Sequence, residues 1–244
     1  MLEVQVAVAK VGKYASSESG DTIEQIERPR GGFSFVIADG QGSGRGAKTL
    51  SNMVTARAIT MLKDGARDGA VARAVHDYLY GYRNGQVSAT LNILSVDFSA
   101  RCVLMSRNNP CPYYVIDESG LTAYNEASSP IGLYPNTKPV ITQHHISAPF
   151  YLVTFTDGVL QAGSRYGGDI ALQNLLAAVP VQQAPRPQEL AEMLLGRAIE
   201  LDRGRPNDDM SVVVLGILMV VDEEPKIRRL LVSSPVDESR KVGA

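Results

Sequence analysis

The apolar residues of this chain follow two kinds of spacing, and each change between them marks a boundary between elements. Val4, Val6 and Val8 alternate with other residues between Leu2 and Ala9, the period-two pattern of a half-buried strand. Phe33 to Ala38 reads as a second strand. From Gly44 to Leu62 the residues Ala47, Leu50, Val54, Ala58 and Met61 recur at steps of three and four, one stripe of an amphipathic helix. Val71, Val75, Tyr78, Leu79 and Tyr82 repeat the stripe in another helix, and His76, which falls off it, is expected at the surface.

Several strand patterns then follow with no helix between them: Val87 to Val96, Arg101 to Ser106, Tyr113 to Ile116, Val140 to Ile146 and Phe150 to Thr156. Their connectors carry turn chemistry at Asp97 to Ala100, Asn108 to Pro110, Glu118 to Gly120 and Ser147 to Pro149, so consecutive strands are expected to pair antiparallel. A helix is expected from about Asp169 to Ala178. A second one, after the Pro-rich link Pro180 to Pro187, uses Leu190, Met193, Leu194, Ala198 and Leu201. The last strand, Ser211 to Val221, is continuously apolar, as a central strand covered on both faces would be. Strands grouped with strands, and helices apart from them, describe an α+β domain with two sheet layers packed face to face. The expected domain covers residues 1–221. Residues 222–244 (DEEPKIRRLLVSSPVDESRKVGA) form a charged C-terminal tail or docking segment.

Composition narrows the partners. Lys plus Arg number 24 against 26 Asp plus Glu, a net charge of −2, which gives no sequence-independent grip on a phosphate backbone. Nucleic acid is therefore not an expected partner. The longest apolar run, Ser211 to Val221, is far shorter than the roughly 20 residues of a membrane-spanning helix. No membrane association is expected, and the N-terminus lacks the basic start and continuous apolar core of a secretion signal, so the expected address is cytoplasmic. Cys102 and Cys111 are too few for a disulfide framework and read as a reduced pair. Neither has an Arg at the C-x5-R spacing of cysteine phosphatases.

The candidate chemistry lies in aspartates at strand ends or tight turns, where a scaffold can aim a carboxylate. Asp39 and Asp157 share one local pattern, FSFVIADG and YLVTFTDG, an apolar strand ending in Asp-Gly. Asp208 and Asp209 stand just before the last strand in RPNDDMSVVVL, and Asp21 lies in SGDT. Converging carboxylates repel one another unless a cation neutralises them, and an all-oxygen donor set favours Mg2+ or Mn2+ over softer metals. With two such ions, a bridging water becomes a nucleophile at neutral pH and phosphoryl oxygens gain a charge clamp. His144 and His145 are adjacent, point to opposite faces of a strand, and read as structural or surface residues.

SGDT, ADGQGSG around Asp39, SATLNIL around Thr90, SSPIGLY around Gly132, FTDGVLQAG and NDDMSVVVL occur in one order across almost 200 residues. In this ordered set the chain resembles the metal-dependent PPM or PP2C-like protein phosphatases, in particular the bacterial branch related to the sporulation phosphatase SpoIIE. The resemblance implies a four-layer αββα sandwich, two mainly antiparallel sheets with helices on the outside and metals in a cleft at one end. It implies that Asp39 bridges two Mn2+ or Mg2+ ions, that Gly40 lends its carbonyl oxygen, and that Asp157 and Asp208 are further ligands. Asp21 matches an acidic position that holds the second ion. Asp209 falls where relatives often carry Asn, so the sequence leaves open which of Asp208 and Asp209 ligates.

Three departures accompany the resemblance. Gln41 follows the Asp-Gly where better-known members have His, Gln161 stands where many have an acid, and no Arg precedes Asp21 at close range, leaving Lys10 or Lys13 to meet phosphate. The expected activity is hydrolysis of phosphoserine or phosphothreonine on a regulatory protein, an anti-sigma antagonist by analogy, through a water activated by the metals, with Asp39 and Asp157 at the catalytic centre. The departures favour slow turnover of small substrates. A binding protein of the same fold, without turnover, is the alternative reading. A further rival is a nucleotide-binding P-loop in GSGRGAKT, Gly42 to Thr49, but Ala47 replaces the second Gly of that motif and the following strands lack crossover helices.

Overall fold

In the computed structural model, which describes residues 1–29, 31–221 and 226–235, the elements run in chain order as β1 (Leu2–Val11), β2 (Asp21–Glu27), β3 (Phe33–Gly40), α1 (Gly44–Lys63), α2 (Asp68–Arg83), β4 (Ala89–Asp97), β5 (Cys102–Asn108), β6 (Tyr113–Asp117), β7 (Gly120–Tyr124), β8 (Val140–His145), β9 (Phe150–Phe155), α3 (Asp157–Leu160), α4 (Leu172–Ala177), α5 (Pro187–Leu201) and β10 (Met210–Met219). They form two 5-stranded sheets, ordered β1-β10-β9-β6-β7 and β2-β3-β4-β5-β8. Every strand pair is antiparallel. That pattern rejects the P-loop reading, which needs parallel strands joined by crossover helices.

The period-two alternation accounts for the layers. On β10, Val212 and Val214 face α5 together with Leu190, Leu194 and Ala198, whereas Val213, Leu215 and Ile217 face the other sheet together with Leu94, Val103 and Met105. Both faces are covered, so the strand reads as continuously apolar, and it lies between β1 and β9 as its sequence anticipates. Each fully buried aliphatic side chain of this kind contributes about 2 kcal/mol relative to exposure. The opposite outer layer is α1 and α2, whose Leu50, Val54, Ala58, Val71, Val75 and Leu79 pack on Val36, Ala38, Leu91 and Ile93. The α+β reading and the four-layer sandwich are thus the observed architecture.

The structure departs from the sequence reading in several places. The strands β2 and β7 are absent from the apolar pattern because both are edge strands with mixed, partly exposed residues. Consecutive strands do not always pair: β5 and β6 lie in different sheets, as do β7 and β8. His76 is buried, not at the surface, and its Nδ1 accepts the N–H of Gly132 at 3.1 Å. The loop before β8 covers a second side of α2, which widens its buried arc beyond one stripe. Tyr82, conversely, is 59% exposed and stacks on Tyr78. Cys102 and Cys111 are free and buried, and burial pushes the Cys111 thiol up to about 12. Tyr113 donates to or accepts from His144 Nε2 at 3.0 Å, and His145 is exposed, so neither histidine joins the acidic residues. Among the described residues no helix is long and apolar enough to cross a membrane.

Candidate active site

The antiparallel register puts Asp21, the first residue of β2, directly opposite Asp39 near the end of β3. The other sheet brings its own acids to the same end. Asp157 follows β9 and opens α3, with Thr156 as N-cap, while Asp208 and Asp209 lead directly into β10. β9 and β10 are neighbours, joined here by Thr156 N–H to Ser211 O at 3.0 Å and Ser211 N–H to Thr156 Oγ1 at 2.9 Å. Both hydroxyls then reach across to the opposite sheet. Thr156 Oγ1 donates to Asp21 Oδ2 at 2.9 Å and Ser211 Oγ donates to the same oxygen at 2.6 Å.

Close backbone approach at two glycines draws these ends together. A Cβ on Gly40 would lie 2.2 Å from the carbonyl oxygen of Ala47 in α1, and a Cβ on Gly158 would lie 2.1 Å from that of Asp209. Only a residue without a side chain allows helix and strand end to meet at these distances. The shared Asp-Gly pattern therefore marks a packing requirement as well as an aimed carboxylate.

The electrostatics follow from the burial of the acids and from their convergence. Asp39 is pushed up to about 8, chiefly by burial and then by the charges of Asp21, Asp157, Asp208 and Asp209. Burial also raises Asp21 to about 6, against the hydrogen bonds from Ser211 and Thr156 and the charge of Lys10. Asp157 is raised by burial and by Asp208, and its Oδ2 accepts from Gln161 Nε2 at 3.0 Å. Asp21 Oδ1 is buried with no hydrogen-bond partner. An orphaned carboxylate oxygen beside a carboxyl held near 8 is the signature of a centre lacking positive charge.

The nearby cations supply only part of it. Lys10 Nζ and Lys48 Nζ donate to the backbone carbonyl of Asp21 at 3.1 and 2.9 Å, and Lys48 also reaches Thr22 Oγ1 at 2.9 Å. The lysine of the supposed P-loop is thus a strut between α1 and β2. Lys13 Nζ stands 3.9 Å from Asp208 Oδ1. Gln41 is turned to Ser88, whose N–H donates to Gln41 Oε1 at 2.9 Å. Among the described residues no group of three or more His, Cys, Asp or Glu side chains is drawn close enough together to hold a metal ion as it stands. The donor set nevertheless fits a hard cation: Asp39, Asp157, Asp208, the free oxygen of Asp21 and the Gly40 carbonyl are all oxygens of the type Mg2+ and Mn2+ prefer.

Sequence reasoning misses Thr156, Ser211 and Lys48. The first two carry a faint signal, a hydroxyl residue adjoining each acidic strand end, whereas the partner of Lys48 is set only by the packing of α1 on β2. Asp202 is missed as well. It is fully buried and accepts from the N–H groups of Gly163 and Asn207, fixing the turn that delivers Asp208.

Comparison with known proteins gives one family. The sequence model described as Stage II sporulation protein E (SpoIIE) matches residues 29–218. Stage II sporulation protein E of Priestia megaterium is 22% identical over 211 residues, which cover 86% of this chain and 36% of that protein. The chain thus spans about a third of that relative's length. Among solved structures, the PP2C phosphatase domain with a fragment of the regulatory domain of the cell fate determinant SpoIIE from Bacillus subtilis matches with a TM-score of 0.77 at 20% identity, over 91% of this chain and 65% of that one. The catalytic domain of the serine/threonine protein phosphatase PstP, solved in complex with 2 manganese ions, matches with a TM-score of 0.67 at 18% identity, over 90% of this chain and 100% of that one. At such identities the solved structures establish a shared PP2C-type fold.

Proposed function

This chain belongs to the SpoIIE family, and we propose that it is a Mg2+- or Mn2+-dependent phosphatase acting on phosphoserine or phosphothreonine of a cytoplasmic regulatory protein. The observation that carries the reading is the convergence of acids from both sheets on the buried Asp39, whose carboxyl is held near 8 by burial first and by those charges second. Metal complexes among the fold neighbours, such as PstP with 2 manganese ions, support the choice of cation.

Asp39, the Gly40 carbonyl, Asp157, Asp208 and the unpartnered Oδ1 of Asp21 would hold two ions. When bound, the ions supply a water acidic enough to attack at neutral pH and a charge clamp on the phosphoryl oxygens. The chain's own residues do the positioning. Thr156 and Ser211 occupy one oxygen of Asp21 and leave the other free. Gln161 orients Asp157 through its Oδ2. Gln41 has no transferable proton and is held on Ser88, so protonation of the leaving seryl or threonyl oxygen falls to solvent, without the roughly 10²–10⁴ of a placed general acid. We assign the activity to residues 1–221 and treat residues 222–244 as a tail. Within the tail, Arg228 Nη1 lies 3.6 Å from Glu27 Oε1 of the body.

The test is phosphate release from a phosphoserine or phosphothreonine peptide and from an aryl phosphate, with and without Mn2+, with ATP as a control. Release that requires Mn2+ and is abolished by EDTA is expected. Mn2+ binding without release from any substrate would replace the enzyme with a binding protein of the same fold.

A further inference from the structure

We propose that Asp209 is a positioning residue and not a cation ligand: it clamps the segment from Lys13 to Gly20 across the site and so aims the Lys13 ammonium at the phosphoryl group of the substrate. The inference rests on the phosphatase reading and adds to it the group that meets the phosphomonoester dianion. Asp209 is 5% exposed, and its two carboxylate oxygens are divided between the two ends of that segment. Lys13 N–H donates to Oδ1 at 2.9 Å and Gly20 N–H donates to Oδ2 at 2.7 Å. The same approach to β10 makes a third tie, Tyr14 N–H to the carbonyl of Pro206 at 2.9 Å. Between the ties Ala15, Ser17 and Glu18 are exposed, and Ala15 sits at φ 61°, so this stretch has little packing of its own to hold it in place.

Asp208 differs from its neighbour. Its Oδ1 accepts the N–H of Asp209 at 3.0 Å, its side chain is 38% exposed, and it faces Lys13 Nζ at 3.9 Å. Lys10 and Lys48 spend their ammonium groups on the Asp21 carbonyl. Lys13, 37% exposed at the rim of the acids, is the cation placed to meet an incoming phosphoryl dianion.

Asp208→Asn, Asp209→Asn, Lys13→Ala and the Lys13→Ala/Asp209→Asn double variant test this on the intact chain. Titration with MnCl2 alone is expected to show Asp208→Asn weakening binding at least roughly tenfold and Asp209→Asn changing it less than about threefold. Amide hydrogen exchange at one of Lys13 and Gly20 is expected to speed up about tenfold in Asp209→Asn, because the side-chain amide keeps one acceptor oxygen and its nitrogen cannot replace the other. On a phosphoserine peptide, KM rises roughly tenfold in both single variants with kcat nearly constant, and the double variant is no worse than Lys13→Ala. Equal Mn2+ losses in the two Asn variants, unchanged exchange, or additive effects in the double variant would each overturn the proposal. Wild-type chain that neither binds Mn2+ nor releases phosphate, with exchange still accelerated in Asp209→Asn, would instead remove the phosphatase reading and leave the clamp standing without its substrate.

Discussion

The two Asp-Gly strand ends begin from nearly the same sequence and arrive at different electrostatic states. Asp39 stays within β3, opposite Asp21 and Thr90, with α1 pressed on Gly40. Asp157 leaves β9 to open a one-turn helix, where its own backbone N–H, that of Gly158 and the Gln161 amide support its charge. Asp39 is surrounded by four other carboxylates and is held near 8; Asp157 is raised too, but with donors opposing the rise. Local sequence aims a carboxylate, and its neighbours in space set how readily it ionises.

The largest expected effect abolishes both ends alike. Asp39→Ala and Asp157→Ala should each lower Mn2+-dependent phosphate release by at least roughly 10³-fold with far-UV circular dichroism unchanged. Near-normal turnover in either would show that the two ends do not share one centre. Next in size is the packing at the following glycine. Gly40→Ala and Gly158→Ala drive a Cβ to 2.2 and 2.1 Å from a backbone carbonyl oxygen and should each destabilise the fold by about 2–3 kcal/mol in urea titration. A loss at one glycine but not the other would break the parallel between the two ends.

The smallest effect separates them. In the folded chain the Asp39 and Asp21 carboxyls are held near 8 and 6, above the ordinary 3.8, so folding favours their protonated forms. Their stabilising contribution is fully present below pH 3.8 and is lost as pH rises through about 6 and then about 8. Calorimetry of EDTA-stripped protein should show Tm falling by roughly 10 °C between pH 5 and 9. Asp39→Asn should flatten that fall more than Asp157→Asn, and Mn2+ should lift the alkaline arm by replacing the protons. A Tm independent of pH would mean that neither burial nor neighbouring charge raises these carboxyls.

Much of the fold and of the acidic centre is legible in the sequence, and the reason differs by element. The strand β10 and the helices α1 and α5 announce themselves because their burial is regular, one or both faces along their whole length. The edge strands β2 and β7 do not, since half of each faces no core. His76 escapes the pattern because a single-stripe helix has no way to signal a loop laid over its flank. Asp21, Asp39, Asp157, Asp208 and Asp209 all stand out by residue type and local context, but Asp208 and Asp209 are indistinguishable in sequence and differ sharply in surroundings.

The sequence alone determined the element grammar and the all-oxygen chemistry of the acids, because each depends on residue type and short spacing. The tertiary structure decided which sheet each strand joined, that Asp21 faces Asp39, and that Thr156 and Ser211 reach across to Asp21. It also decided that Lys48 braces β2 and that Asp209 grips residues 189 and 196 positions away. Those outcomes rest on distances between remote residues and on the burial those contacts create. Coulomb and desolvation energies change steeply with both.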